Sequence, residues 1–195
     1  MRRMACGWVF TLLVTFPMMA QDELPRWEVF GGYSYNNFDE FGAAVNLNGW
    51  NASLSWNPNR WLSFVGDFSG HYGAEGFSLI LPPNPPLQLR TERRQHTFLF
   101  GPRFSYRGDK RFTPFAHLLF GVARFSSDPT APFPFGFGFA ATGLAVSLGG
   151  GIDIKVSDRF AVRAMQADLQ ILRSDFLSPH NFRYSAGIVF RWGKR

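Results

Sequence analysis

The sequence predicts an all-β protein: an eight-stranded antiparallel up-and-down transmembrane β-barrel, preceded by an N-terminal signal peptide. Three observations predict it. Residues alternate between large apolar and small or polar types in eight segments. The apolar face is the larger and more aromatic one, which suits a barrel with lipid outside and a polar interior. The connections between segments alternate between long and short, as in outer-membrane barrels with external loops and periplasmic turns.

The first twenty residues have the layout of a secretory signal. Arg2 and Arg3 precede an uncharged apolar run at 5–16, and Ala20 is a small residue just before the polar Gln21. That run is too short to span a bilayer as a helix. We therefore expect cleavage after Ala20, with a single barrel domain at 21–195. Cys6 would leave with the signal, so no disulfide or thiol-based metal site is expected.

Composition and charge point to a membrane protein. Phenylalanine is the commonest residue with 23 copies, yet the mean hydropathy is only −0.09, so the aromatic residues are interleaved with polar ones. This mixture is typical of aromatic girdles at a membrane interface. The net charge of +6 comes from dispersed lysines and arginines. An exported chain without a basic stripe is not expected to bind nucleic acid, so membrane lipids or lipopolysaccharide are the predicted partners of this charge.

Each alternating segment is about as long as a tilted strand needs to be to cross a bilayer. The segments lie at about 27–35, 47–56, 61–72, 95–106, 113–125, 144–156, 160–172 and 181–192. In the fourth, for example, Phe98 and Phe100 share one face while Thr97 and Arg103 share the other. The fifth segment is apolar on both faces, which leaves its register open. In the seventh, strict alternation would separate two interior charges, and a β-bulge at 164–166 reconciles them.

The connections follow a long–short alternation along the whole chain. They fall at about 36–46, 57–60, 73–94, 107–111, 126–143, 157–159 and 173–180. Short periplasmic turns and long external loops place both termini in the periplasm when the strand number is even. Closure into a barrel is required because an open sheet edge cannot lie in lipid.

Charged residues on the small, polar face are the main candidate site. The predicted network in the lumen, the interior of the barrel, comprises Glu28, Asp67, Arg103, Asp153, Arg163, Asp168 and Arg191, together with Lys155 and Arg183. An eight-stranded barrel leaves room inside only for side chains. We therefore expect salt bridges that fill the lumen, with a cluster of Glu28, Arg103, Asp153, Arg163 and Arg191 near the short turns; a pore or a proton relay is the alternative.

Histidine offers a weaker candidate. His71 and His117 with Asp67 could form a metal site, but no short ligand spacing supports it, so hydrogen-bonded lumen histidines are expected and no metal or other cofactor is predicted. Ser178 and His180, with Asp175 nearby, could act on a lipid acyl chain, yet no nucleophile motif accompanies them.

The loop prolines Pro82, Pro83, Pro85 and Pro86 stiffen the second long connection. That loop is either a rigid epitope for an extracellular ligand or a simple spacer.

Four segments carry a family resemblance: EVFGGYSY at 28–35, TFLFGPRF at 97–104, PFAHLLFGV at 114–122 and FRYSAGIVF at 182–190. They resemble the bacterial outer-membrane β-barrel domain family, which includes the OmpA-like and OmpX-like small barrels. The resemblance implies insertion by the barrel-assembly machinery, with Phe190 or Trp192 as the terminal aromatic signal. No peptidoglycan-binding domain follows the last strand, so tethering to the cell wall is not implied.

Fold alone does not define a function. The family that the chain resembles includes adhesins, host-interaction proteins and structural anchors. The sequence therefore predicts a structural or surface-interaction (adhesin-like) protein of the bacterial outer membrane, without catalysis and with an extracellular ligand still to be identified. A narrow pore for small solutes is the first alternative, and a lipid A-modifying enzyme is the second.

Overall fold

The computed structural model describes residues 24–40, 43–79, 87–108, 111–130, 138–173 and 180–194. The predicted signal peptide, the four loop prolines, Asp175 and Ser178 lie outside these ranges, as does the side chain of His180.

Eight strands make up the described structure. They are β1 (Pro25–Glu40), β2 (Ala43–Trp56), β3 (Leu62–Leu79), β4 (Leu87–Ser105), β5 (Phe112–Thr130), β6 (Phe139–Lys155), β7 (Phe160–Arg173) and β8 (His180–Lys194). Each strand pairs antiparallel with the next, and β8 returns to β1, which closes the barrel. Within the described ranges, no helix is long and apolar enough to cross a membrane. The predicted fold class is confirmed.

The two faces of the sheet have the predicted orientation. On β4, Phe98 and Phe100 are 52% and 68% exposed, whereas Thr97 and Arg103 are 1% and 2% exposed and face the lumen. The same alternation holds on β2, where Trp50 and Leu54 point outward. Proteins that fold in water rarely expose so many large apolar side chains, so this outer surface is suited to lipid.

The strands continue well past the predicted ends on the side of the long connections. The register of β3 and β4 runs without a break to the pair Leu79 and Leu87, inside the predicted loop 73–94. Polar residues in these segments resemble a loop in sequence, but backbone hydrogen bonds between neighbouring strands extend the hairpins above the apolar band. We call this end of the barrel the hairpin end and the opposite end the short-turn end.

The predicted bulge on β7 is confirmed. The register of β7 with β8 shifts between Arg163 and Gln166, and both of these residues face the lumen while Ala164 and Met165 face outward. The extra residue therefore brings Arg163 and Asp168 to the same interior. The register of β6 with β7 shifts at the same place, because Ile152 pairs with Met165 and Asp153 pairs with Arg163, which leaves Ala164 of β7 as the extra residue.

The lumen is less polar than predicted. Phe30 on β1 is buried with Ala161 and Val189. A second apolar cluster lines the wall formed by β3 to β7 and consists of Val65, Leu99, Leu119, Ala123, Ala145 and Leu172. The predicted polar inward face holds on most strands, but apolar side chains also fill part of the lumen, because a narrow barrel packs its interior as a core and apolar side chains fill space without needing partners.

Candidate functional site: the lumen network

Eight of the nine predicted interior charges face the lumen. These are Glu28, Asp67, Arg103, Asp153, Arg163, Asp168, Arg183 and Arg191, and each is at most 7% exposed. Lys155 is the exception. It lies at the end of β6 with 41% of its side chain exposed and pairs with Asp158 in the following turn. Its predicted interior position was wrong because the strand ends there and the lumen opens to solvent.

Three arginines converge on one carboxylate at the short-turn end. Arg103 Nη2 on β4 donates a hydrogen bond to Glu28 Oε2 on β1, across the barrel. Arg107 Nη2 donates to Glu28 Oε1 at 3.1 Å, and Arg191 Nε lies 3.2 Å from the same oxygen. Arg107 had been predicted only as part of a turn. Its long side chain reaches back into the lumen from just beyond β4, which alternation within the strand cannot reveal.

Asp153 and Arg163 form a two-pronged ion pair beside this group. Arg163 Nε and Nη2 donate to the two carboxylate oxygens of Asp153 at 2.8 and 3.2 Å. The guanidinium lies between two buried rings, 4.3 Å from the centroid of Phe30 and 4.5 Å from that of Phe115. Arg191 Nη2 approaches Asp153 at 4.0 Å. Close contact with aromatic faces suits arginine, whose planar charge is attracted to them. The short-turn cluster is defined as Glu28, Arg103, Arg107, Asp153, Arg163 and Arg191.

A second group occupies the middle of the lumen around Arg183. Its Nη1 donates to Asp67 Oδ1 on β3 at 2.7 Å, while its Nη2 donates to Asp168 Oδ2 on β7 at 2.6 Å. Asp168 also contacts His117 Nε2 at 2.7 Å. Gln166 joins the two groups, because it accepts from Arg163 Nη1 at 2.7 Å and donates to Asp168 at 2.8 Å. Hydrogen bonds therefore run continuously from the short-turn cluster to the barrel centre.

Towards the hairpin end, side chains from opposite walls still meet. Asn36 Nδ2 on β1 donates to Gln95 Oε1 on β4 at 3.0 Å. Leu47 on β2 packs against Phe125 on β5 in a small apolar cluster. Together with the contacts of Glu28 and Arg183, these pairs bridge the lumen at several depths along the barrel.

The histidines are engaged in hydrogen bonds. His117 is bound to Asp168, and His96 Nε2 lies 3.1 Å from the Tyr72 hydroxyl on the outer surface. In the part of the chain that the structure describes, no group of three or more His, Cys, Asp or Glu side chains could hold a metal ion. His71 and His117 do not converge on Asp67 as the alternative metal site required.

One serine–histidine pair does form, at a place that the sequence did not indicate. His71 Nε2 lies 2.9 Å from Ser34 Oγ, and Ser34 Oγ lies 2.9 Å from Ser185 Oγ. Both Ser34 and His71 are 0% exposed, so a substrate has no access to the hydroxyl. His71 Nδ1 has no hydrogen-bond partner among the described residues, whereas a hydrolytic triad needs a carboxylate there. The pair therefore functions as packing within the lumen.

Solved structures of other barrel proteins share this architecture. Ail, the attachment invasion locus protein of Yersinia pestis, in complex with the heparin analogue sucrose octasulfate, matches with a TM-score of 0.59 and 16% identity over 86% of this chain and 99% of Ail. Neisserial surface protein A matches with a TM-score of 0.56 and 12% identity over 85% of this chain and 97% of its own. No family model and no curated protein matches the sequence.

The chain has the fold of the small outer-membrane β-barrels. Members of this fold class present an apolar band to lipid, flanked by aromatic girdles. Here Trp56 stacks on Phe64 and Trp61 on Phe104 near the short turns, with ring centroids 5.9 and 5.8 Å apart. At the other edge of the band, Tyr72 meets His96 edge to face.

Basic side chains follow this band on the outer surface towards the hairpin end. Arg94 and Arg124 lie beyond Phe98 and Val122 on β4 and β5, and Arg90 lies further along β4; all three arginines are exposed. A shallow cavity of about 290 Å³ beside them is lined by Tyr72, Gly73, Ala74, Glu92, Arg93 and Arg94. Glu92 pairs with Arg94 at 3.2 Å, and the exposed Asp128 lies opposite Glu92 on β5. Arg90, Arg94 and Arg124 therefore exceed these two carboxylates by one charge.

Proposed function

We propose that this protein is a non-catalytic outer-membrane barrel that acts at the cell surface through its hairpin end, in an adhesin-like role. The observation that supports this most strongly is the filled lumen. Glu28–Arg103, Asp67–Arg183 and Asn36–Gln95 each join opposite walls by hydrogen bonds. A lumen bridged in this way suits a plugged anchor better than a pore for solutes, which leaves the exposed surface as the place of action.

The outer membrane as the location follows from the lipid-facing aromatic surface and the fold. We propose that the signal is removed after Ala20, that the assembly machinery inserts the barrel, and that the short turns face the periplasm. The apolar band between the two aromatic edges would then contact lipid acyl chains. Arg94 and Arg124, just beyond that band, would contact the headgroup region of lipopolysaccharide.

The hairpin surface offers chemistry for an acidic extracellular partner. Arg90, Arg94 and Arg124 are exposed on adjacent strands beside the shallow cavity at Tyr72. Arginine binds planar and tetrahedral anions through paired N–H donors. A sulfated polysaccharide would place a row of anions against this surface, and the structure of Ail contains a heparin analogue. We therefore propose sulfated polysaccharide as the ligand class.

Retention on immobilised heparin tests this proposal. The refolded barrel in a non-ionic detergent should elute at clearly higher salt than the triple variant Arg90→Gln/Arg94→Gln/Arg124→Gln, because fewer counterions are displaced when the arginines are lost. The matched control is Arg26→Gln/Arg111→Gln/Arg159→Gln, which removes the same charge from exposed positions at the short-turn end. Equal elution of the two triple variants would contradict the assigned surface.

A further inference from the structure

The short-turn cluster contains more positive than negative charge. Four arginines, Arg103, Arg107, Arg163 and Arg191, face only two carboxylates, Glu28 and Asp153. Every one of these six side chains is at least nine-tenths buried. A guanidinium does not lose its proton in a protein, so the excess charge cannot be removed by titration. Burial of unbalanced charge is costly unless another ion compensates for it.

The cluster also has spare hydrogen-bond donors. Glu28 is shared among three arginines and cannot pair with all their N–H groups. Arg103 Nε and Arg107 Nη1 are buried and have no acceptor among the described residues. Buried polar groups in folded proteins are nearly always hydrogen-bonded. Two unpaired donors on neighbouring guanidinium groups therefore indicate that an acceptor belongs beside them.

The position of the cluster allows an ion to enter from the short-turn end. The side chains of Arg107 and Arg191 are each 8% exposed, against 2% for Arg103, so they lie nearest to solvent. Exposed Arg26, Arg111 and Arg159 surround the same end. A rim of one sign of charge raises the local concentration of the opposite ion.

We propose that the short-turn cluster is a binding site for a small tetrahedral oxyanion, with inorganic phosphate as the simplest example. Arg103 and Arg107 supply the free donors, and Arg191 supplies further positive charge beside Glu28. Arginine clusters are the usual protein partners of phosphate because their N–H groups pair with two oxygens at once. The site lies inside the closed barrel, which keeps a lipid headgroup out and leaves a small free ion as the proposed ligand. The proposal does not depend on the ligand of the hairpin surface.

Equilibrium dialysis of the refolded full barrel against radiolabelled inorganic phosphate tests the proposal, in a maltoside detergent that contains no phosphate. The wild type should bind phosphate saturably. Arg107→Gln should weaken binding by about tenfold or more, since a hydrogen bond to a charged group and one charge are both lost. Glu28→Gln should have the opposite effect and tighten binding, because it removes the carboxylate that competes for the same arginines. Arg124→Gln, at an exposed position towards the hairpin end, should bind like the wild type.

Folding of each variant is checked by its migration on a detergent gel before and after heating. Absence of saturable phosphate binding by the folded wild type would overturn the proposal, as would equal binding by folded Arg107→Gln and Arg124→Gln. If Arg107→Gln does not fold, the comparison of wild type with Glu28→Gln decides: weaker or unchanged binding by Glu28→Gln would refute the site.

Discussion

At the scale of single residues, Arg183 holds the centre of the lumen together. It is fully buried and pairs with Asp67 and Asp168 on two other strands. Replacement by methionine, which has a similar length, would leave two carboxylates buried without their cation. We expect Arg183→Met to lower the free energy of unfolding by about 3–5 kcal/mol. Urea unfolding in detergent micelles, followed by tryptophan fluorescence, measures the change.

The matched variant removes the stranded charges as well. Arg183→Met/Asp67→Asn/Asp168→Asn should recover a large part of the loss, because a buried ion pair stabilises little compared with neutral groups of similar volume. If the triple variant is as unstable as Arg183→Met alone, the destabilisation comes from packing and the electrostatic explanation is wrong.

The interior position of these residues was predictable, but their pairing was not. Alternation places Asp67, Asp168 and Arg183 on the polar face of their strands, which the structure reproduces. The contact between Arg183 and Asp67 spans 116 residues and crosses the lumen, so it depends on tilt and closure of the barrel. Neither the tilt of the strands nor the closure of the barrel can be predicted from the local sequence. The rings of Phe30 and Phe115 around Arg163 were missed for the same reason.

At the scale of strands, the outward face of β4 is predicted to lie in lipid. Phe100 is 68% exposed in the middle of the apolar band, whereas Tyr106 is 71% exposed just beyond the end of the strand. Phe100→Arg should destabilise the barrel by about 2–4 kcal/mol, and Tyr106→Arg by about 0–1 kcal/mol, because the cost of a charge falls from the bilayer midplane to the interface. Unfolding in lipid vesicles compares them. Similar costs at both positions would refute the assignment of this face.

The seam between β1 and β8 depends on a close approach at glycine. A Cβ atom on Gly32 would overlap the carbonyl oxygen of Ala186 on β8, whereas one on the neighbouring Gly31 would meet nothing within 4 Å. We expect Gly32→Ala to cost about 1–3 kcal/mol through strain at the seam. Gly31→Ala, the control, should change stability by less than about 0.5 kcal/mol. Vesicle-based unfolding measures both, and a neutral Gly32→Ala would show that the seam can widen without strain.

Strand faces were easier to predict than strand ends. In β2 and β4 the large outward residues alternate with small or polar ones, so the period of two was visible. β5 is apolar on both faces because Phe115, Leu119 and Phe125 fill the lumen, and its register therefore had to come from the structure. The hairpin ends were read as loops because apolar and polar residues do not alternate regularly there, and it is the backbone pairing with the neighbouring strand that continues each strand.

At the scale of the whole molecule, closure predicts resistance to detergent. Every strand is hydrogen-bonded on both sides, and β8 pairs with β1 along 13 positions from Pro25 to Phe38. A closed ladder leaves no edge from which sodium dodecyl sulfate can unravel the sheet at room temperature. Unheated protein should therefore migrate differently from boiled protein on a detergent gel, and should fractionate with the outer membrane. Recovery as a soluble periplasmic monomer would contradict the membrane assignment.

We propose that side chains close the lumen, and the ion conductance of the refolded wild-type barrel in a planar lipid bilayer tests this proposal. Contacts such as Glu28–Arg103 and Asp67–Arg183 join opposite walls, so little space is left for hydrated ions. A porin added afterwards to the same bilayer confirms that channels can be detected. We predict no stable unitary steps from the barrel above the detergent control. Reproducible unitary conductance steps from the folded wild type would contradict the account.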